Sequence, residues 1–156
     1  MILLENILKV GGIGCLLFTA YLLLMAYGGV AAAMRDEDGN FKKERNWKTV
    51  LGGVTSLLFF LGGLYYWGNQ YYIAASLSTP SFFSLWLNAF GIFMVIHLYD
   101  LIVTDYLVVV KWHPKFLNLP DTDYYTIMSP HIEGFFKGLP LGMVVNLLVA
   151  LFCFYV

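Results

Sequence analysis

Four long apolar runs separated by short polar segments dominate the chain. They lie at 11–33, 49–68, 82–103 and 139–156, and each approaches the ~20 residues that a helix needs to cross about 30 Å of hydrocarbon. Strands of a membrane barrel would alternate over about ten residues instead, and backbone polar groups in lipid need internal partners. The pattern therefore predicts an all-α polytopic membrane protein, with a single transmembrane domain built as a four-transmembrane-helix bundle.

The polar residues between the runs set the predicted ends of the helices. We expect helices at about 2–34, 46–68, 80–112 and 132–156, with a cytoplasmic segment at about 112–138. Thr79 followed by Pro80 is typical of an N-cap and a first-turn proline, which would start the third helix. Pro140 similarly suits the start of the membrane part of the fourth helix.

Composition agrees with a bilayer as the solvent of this chain. Of the 156 residues, 60% are hydrophobic and 12% are charged, whereas a soluble domain has about a quarter charged residues. The net charge of -1 provides no basic excess for nucleic acid, so the expected partner is the lipid bilayer. Cys15 and Cys153 both fall inside apolar runs, where buried thiols are expected rather than a disulfide.

The basic residues predict how the spans are oriented. The loop at 69–81 contains no charge. Eight of the nine Lys and Arg residues lie in or beside the other two loops, at Arg35, Lys42, Lys43, Arg45, Lys48, Lys111, Lys115 and Lys137. The positive-inside rule makes those loops cytoplasmic. The sequence thus predicts a multi-pass protein of the cell membrane with both termini on the non-cytoplasmic side.

Small residues indicate how the helices meet. Glycines recur along the first two spans, and Gly52-x-x-x-Ser56 is a small-x-x-x-small pattern that allows two helix backbones to approach closely. Two interpretations stay open. The glycine-rich faces pack inside one bundle, or they form a homo-oligomer or bind another membrane protein.

The third span carries the ionisable residues. Asn88 and Asn146 are the amides of the third and fourth spans, and the spans are otherwise chemically quiet outside this region. On an ideal α-helix, His97, Asp100 and Thr104 share a face about 60° wide, while Asp105 is turned about 140° from Asp100. Ionisable residues inside a membrane are costly and usually face an interior or a wet cavity. These residues are therefore candidates for a functional site, although a purely structural role is the alternative.

The segment that follows the third span adds further candidates. All three histidines and half of the ten acidic residues fall between His97 and Glu133. Imidazole and carboxylate together suit zinc, iron or manganese, so a divalent metal is a candidate cofactor, although the spacing matches no metal-binding motif. The metal candidates are His97, Asp100, His131 and Glu133; the ligand-binding candidates are His97, Asp100, Thr104, Asp105, His113 and Asp123.

A stretch of this region resembles a known kind of protein. It comprises Asp100, Asp105, Pro114, Lys115, Phe116, Leu119, Pro120, Thr122, Asp123 and His131. It is similar to a segment of small, uncharacterised four-helix bacterial integral membrane proteins, in which an aspartate pair precedes a P-x-F-x-x-[IL]-P-G-T-E-like turn. This chain has Asp121 in place of the glycine and Asp123 in place of the glutamate. The resemblance implies a four-helix membrane fold and indicates a region, without assigning an activity.

Three functional hypotheses remain open from the sequence. The first is an integral membrane protein that binds a small molecule, lipid or ion at a cytoplasm-facing His/Asp/Glu site. The second is a membrane-embedded enzyme that uses the same residues, with or without a metal, on a lipophilic substrate. The third is a structural or accessory subunit of a membrane complex. Catalytic residues are not assigned, because the sequence lacks a nucleophile motif such as G-x-S-x-G.

Overall fold

The computed structural model describes residues 2–30, 36, 46–117, 119 and 122–155. Four long helices account for most of them: α1 (Ile2–Tyr27), α2 (Trp47–Ala75), α3 (Phe82–Trp112) and α4 (Ser129–Tyr155). Each is long and apolar enough to cross a membrane. The predicted all-α architecture with four candidate spans is therefore confirmed, and the described residues contain no strand.

Several helix ends differ from the predicted ones. Residues 31–34, where the first helix was expected to end, lie outside the described residues, as do most of the basic residues of the first loop. α2 continues to Ala75 because its last turns pack in the bundle, where Asn69 and Tyr72 are buried. α4 already begins at Ser129 and runs uninterrupted through Pro140.

Side-chain caps explain where α2 and α3 begin. Asn46 and Thr49 form a reciprocal capping box at the start of α2, with the Thr49 N–H donating to Asn46 Oδ1 at 3.0 Å. The predicted cap of α3 at Thr79 is wrong. Ser81 occupies that position, and its Oγ accepts from the Ser84 N–H at 3.2 Å, which satisfies a backbone donor that the first turn leaves without a partner.

α3 forms the centre of the bundle and packs most extensively against α1 and α4. Its buried face consists of Leu85, Asn88, Ala89, Ile92 and Ile96. The other helices approach it through glycine: a Cβ on Gly14 would lie 2.6 Å from Ile96 Cδ1. The glycine-rich face of α1 thus packs at least partly inside the bundle, as the first of the two interpretations expects. Large apolar side chains elsewhere on the four helices are exposed, including Leu16, Leu24, Leu58, Leu148 and Phe152, which is compatible with contact to bilayer lipid.

Three buried asparagines link α1, α2 and α3 at the end of the bundle where α3 begins. Asn6 Nδ2 donates to Asn88 Oδ1 at 2.8 Å, and Asn88 Nδ2 donates to Asn69 Oδ1 at 2.9 Å. Both Nδ2 groups also donate to the carbonyl of Gly68 at 3.2 Å. Because polar groups in an apolar interior need partners, this asparagine network fixes the three helices in one register.

Two helices contain π-helical segments. One spans Leu58–Tyr65 in α2, and the other spans Asp100–Trp112 at the end of α3. A π-helix bonds residue i to residue i+5 and is frequent at functional sites. α3 ends at His113, which adopts a left-handed conformation with φ of 43° and donates its N–H to the Val108 carbonyl at 2.9 Å.

Candidate functional site: a cavity between α2 and α4

A cavity of about 430 Å³ lies between the four helices. This volume is within the ~300–1,000 Å³ range of small-molecule sites. Most of the wall is apolar or aromatic. Among the described residues, the lining consists of Phe18, Gly53, Ser56, Leu57, Phe60, Tyr65, Phe93, Ile96, His97, Asp100, Gly138, Leu141, Gly142 and Val145.

The cavity opens sideways between α2 and α4. Leu57 on α2 and Leu141 on α4 both line it, yet they are 58% and 67% exposed. The Trp47–Leu57 part of α2 bonds to α1, because the Tyr21 hydroxyl lies 2.6 Å from Ser56 Oγ. The Tyr21 ring also stacks on Phe59, with a centroid distance of 5.0 Å. The exposure of Leu57 and Leu141 indicates that the cavity has an open side between α2 and α4.

His97 stands at the polar end of this cavity. Its ring is stacked between Phe93 and Phe135, at centroid distances of 4.9 and 4.4 Å, and its Nε2 lies 3.0 Å from the Phe135 carbonyl oxygen. Gly138 allows α4 to approach the imidazole, since a Cβ there would be 3.1 Å from His97 Nε2. The surrounding groups thus fix both the position and the orientation of the ring.

Asp100 is the second polar group at this end, and it begins the π-helical segment of α3. A π-helix has more residues per turn than an α-helix, so the angle between Asp100 and Asp105 that an ideal α-helix predicts does not apply to this segment. Asp100 lines the cavity, whereas Asp105 bonds to His131.

Asp105 pairs with His131 of α4. Asp105 Oδ1 lies 3.1 Å from His131 Nδ1, and the two side chains are 25% and 5% exposed. The imidazole also lies close enough to Asp100 for a Coulombic interaction. The Tyr124 ring, on the single helical turn Asp123–Thr126, covers His131 at a centroid distance of 5.1 Å. Asp105 and His131 therefore form a bonded pair, and Asp100 lies near this pair at the end of the cavity.

The other predicted site residues lie elsewhere. His113 caps the end of α3 and bonds through Nδ1 to the Val109 carbonyl at 3.1 Å. Asp123 is exposed at the start of its helical turn, and Thr104 is half-buried without lining the cavity. Glu133 forms an exposed ion pair with Lys137, one turn along α4.

Three of the four metal candidates bond to different partners. His97 bonds to a backbone carbonyl, His131 bonds to Asp105, and Glu133 bonds to Lys137. Among the residues that the structure describes, no three His, Cys, Asp or Glu side chains converge closely enough to hold a metal ion. A divalent metal stays a prediction from the sequence alone.

Sequence reasoning missed most of the cavity wall. Phe18, Phe60, Tyr65 and Phe93 come from three helices and carry no local motif. The asparagine network was missed as well, because its members are isolated residues in three separate helices. A hint was available for Asn88, since an amide inside an apolar span must find a partner.

Comparisons with known proteins add no family to this description. No protein-family model, no curated protein and no solved structure matches the chain. The likeness to small four-helix bacterial membrane proteins therefore depends on the residues quoted for it alone.

Proposed function

We propose that this chain is a multi-pass membrane protein that takes up an amphiphilic small molecule from the bilayer. The ligand's apolar part would occupy the cavity between α2 and α4, and its polar group would lie against His97 and Asp100. The observation that carries the proposal is the shape of this one cavity, which combines an apolar wall and an exposed lateral mouth with two polar side chains at one end.

The lateral mouth supports a ligand that arrives from lipid. Leu57 and Leu141 lie in the apolar middle of helices that are long enough to span a membrane. An opening at that level faces hydrocarbon rather than water when the bundle is inserted. A molecule that partitions into the bilayer can therefore reach the cavity without crossing a polar loop.

The residues of the cavity wall favour a ligand whose larger part is apolar and consists of rings or an alkyl chain. Ligand sites are typically lined by hydrophobic and aromatic side chains, with a few polar groups that fix orientation. Both helices that form π-helical segments contribute to this cavity, α2 through Phe60 and Tyr65 and α3 through Asp100. Wide helical turns at the cavity are consistent with a binding site.

The hypothesis of a membrane-embedded enzyme has less support. Convergence of His97 and His131 on one carboxylate would favour an enzyme, whereas His97 bonds to Phe135 O and His131 bonds to Asp105. We also propose that the site lies on the cytoplasmic side of the cell membrane, as the positive-inside rule predicts.

Two glycine variants test this function. Gly53 lines the cavity mouth, and a Cβ there would meet nothing within 4 Å, so Gly53→Phe would place a ring in open space at the cavity. Gly12 on α1 is equally open but does not line the cavity, which makes Gly12→Phe a matched control.

The measurement uses the full chain in phosphatidylcholine nanodiscs. The probes are three fluorescent anthracenes: 9-anthracenemethanol, 9-(aminomethyl)anthracene and 9-anthracenecarboxylate. We expect saturable binding of at least one probe above that of empty discs. Gly53→Phe should weaken it by at least about tenfold, or about 1.4 kcal/mol, and Gly12→Phe should not. Absence of saturable binding for all three probes, or equal binding by the two variants, would refute the proposed function.

A further inference from the structure

Tyr65 contributes a buried hydroxyl group to the cavity. The residue lines the cavity wall and is only 3% exposed. Its ring contacts two other rings of the wall, at centroid distances of 6.1 Å from Phe60 and 6.3 Å from Phe93. The proposed function gives this hydroxyl no part, because it places the polar group of the ligand against His97 and Asp100.

The Tyr65 hydroxyl forms no hydrogen bond with any residue that the structure describes. By contrast, the Tyr99 hydroxyl of α3 lies 2.7 Å from Thr19 Oγ1 of α1. Tyrosine hydroxyls usually find a partner when they are buried, and a buried polar group without one destabilises the fold. Because Tyr65 lines the cavity, a polar group that lies in the cavity would satisfy its hydroxyl.

Tyr65 and His97 lie at different levels of the cavity. The hydrogen bond between Asn69 and Asn88 marks one common level of α2 and α3. Tyr65 lies one turn, about 6 Å, from that level along α2, whereas His97 lies about 13 Å from it along α3. The Phe93 ring links the two, since it contacts the Tyr65 ring at 6.3 Å and stacks on the His97 ring at 4.9 Å. The cavity therefore carries polar side chains at two levels, with an aromatic side chain between them.

We propose that Tyr65 forms a second polar subsite of the cavity, and that the ligand carries a hydroxyl or carbonyl group at each end of an apolar body. One group lies against His97 and Asp100. The other forms a hydrogen bond with the Tyr65 hydroxyl, which can both donate and accept. This inference rests on the proposed function, because it adds a requirement to the same cavity. The proposed function applies to any amphiphile, whereas the inference restricts the ligand to molecules with two separated polar groups, such as diols and hydroxyketones.

The test compares anthracene diols with the matching mono-alcohols, on the full chain in phosphatidylcholine nanodiscs. One diol, 9,10-bis(hydroxymethyl)anthracene, carries its hydroxyls across the short axis of the ring system, and its mono-alcohol is 9-anthracenemethanol. The other, 2,6-bis(hydroxymethyl)anthracene, carries them along the long axis, and its mono-alcohol is 2-anthracenemethanol. Empty discs give the partition of each probe into lipid, so each affinity is referred to the probe concentration in the bilayer. We expect the wild-type chain to bind at least one diol about fivefold more tightly than its mono-alcohol, as one added neutral hydrogen bond would give.

Two phenylalanine variants provide the second arm of the test. Tyr65→Phe removes the hydroxyl and keeps the ring in the wall. It should weaken binding of that diol about fivefold and change binding of the mono-alcohol by less than about twofold. Tyr99→Phe is the matched control, because Tyr99 is not among the described residues that line the cavity and its hydroxyl is bonded to Thr19. This control should leave the ratio of diol to mono-alcohol affinity unchanged.

Two results would overturn the inference. One is equal affinity of the wild-type chain for each diol and its mono-alcohol, and the other is an unchanged affinity ratio in Tyr65→Phe. Either would indicate that the Tyr65 hydroxyl bonds to water instead of the ligand. If binding still depended on Gly53, the proposed function would survive that result. Should Tyr65→Phe fail to fold, the comparison of diols with mono-alcohols on the wild-type chain still decides.

Discussion

Replacing Asn88 by alanine tests whether the asparagine network holds α1, α2 and α3 in register. Asn88 accepts one hydrogen bond from Asn6 and donates two, to Asn69 and to the Gly68 carbonyl. Interhelical hydrogen bonds in a membrane protein contribute ~0.6 kcal/mol on average and at most about 1.7. Removing three such bonds should therefore lower the free energy of unfolding by about 2 kcal/mol, and by about 5 kcal/mol at the upper limit.

Asn146 provides the matched control for this variant. Both asparagines are 0% exposed, so Asn88→Ala and Asn146→Ala remove the same atoms from fully buried positions. Among the residues that the structure describes, Asn146 donates within its own helix, to the Gly142 carbonyl at 2.7 Å. We therefore expect Asn88→Ala to be the more destabilising by about 1 kcal/mol or more.

The assay is reversible unfolding of the purified chain in mixed micelles with increasing sodium dodecyl sulfate, followed by far-ultraviolet circular dichroism. Asn69→Ala and the double variant complete a thermodynamic cycle. Because Asn88 and Asn69 are bonded at 2.9 Å, their effects should be non-additive. Equal destabilisation by the two single alanine variants at positions 88 and 146, together with additive effects at positions 88 and 69, would refute the idea that the network stabilises the bundle.

Two further predictions concern the Asp105–His131 pair and the orientation of the bundle in the membrane. The Asp105–His131 pair should show a coupling free energy of about 1 kcal/mol in a double-alanine cycle, because His131 is buried and Asp105 is its bonded partner; strictly additive effects would show that the pair adds no stability. Two fusions to the carboxyl end test the orientation in a bacterial host. Alkaline phosphatase should be active there and green fluorescent protein should not fluoresce, since the positive-inside rule places that end outside the cytoplasm. The reverse pattern would overturn the orientation.

The fold brings some of the predicted site residues together and leaves others apart. His97 and Asp100 were both selected from the sequence, and they meet at one end of the cavity. Asp105 and His131 were selected as well, but in separate sets, and α4 brings them together as an ion pair. Asp123 and Glu133 share the region in the sequence, yet both are exposed. The closeness of these residues in the sequence thus predicted a larger shared site than the described residues form.

The amino-acid sequence by itself determined the number of helices and their membrane-spanning length. Hydrocarbon thickness requires about 20 apolar residues per span, and this constraint operates within each segment, so it can be recognised without knowing any contact. The ionisable residues of α3 can also be recognised without knowing any contact, because a charged residue stands out within an apolar run of the sequence.

Only the tertiary structure decided which of these residues share a site. The π-helical segment of α3 changes the angle between Asp100 and Asp105, and periodicity rules assume an α-helix. Beside the cavity, Tyr21 of α1 bonds to Ser56 of α2, and Gly138 allows α4 to reach His97. These are contacts between residues far apart in the chain, and hydropathy carries no information about which faces of two helices meet.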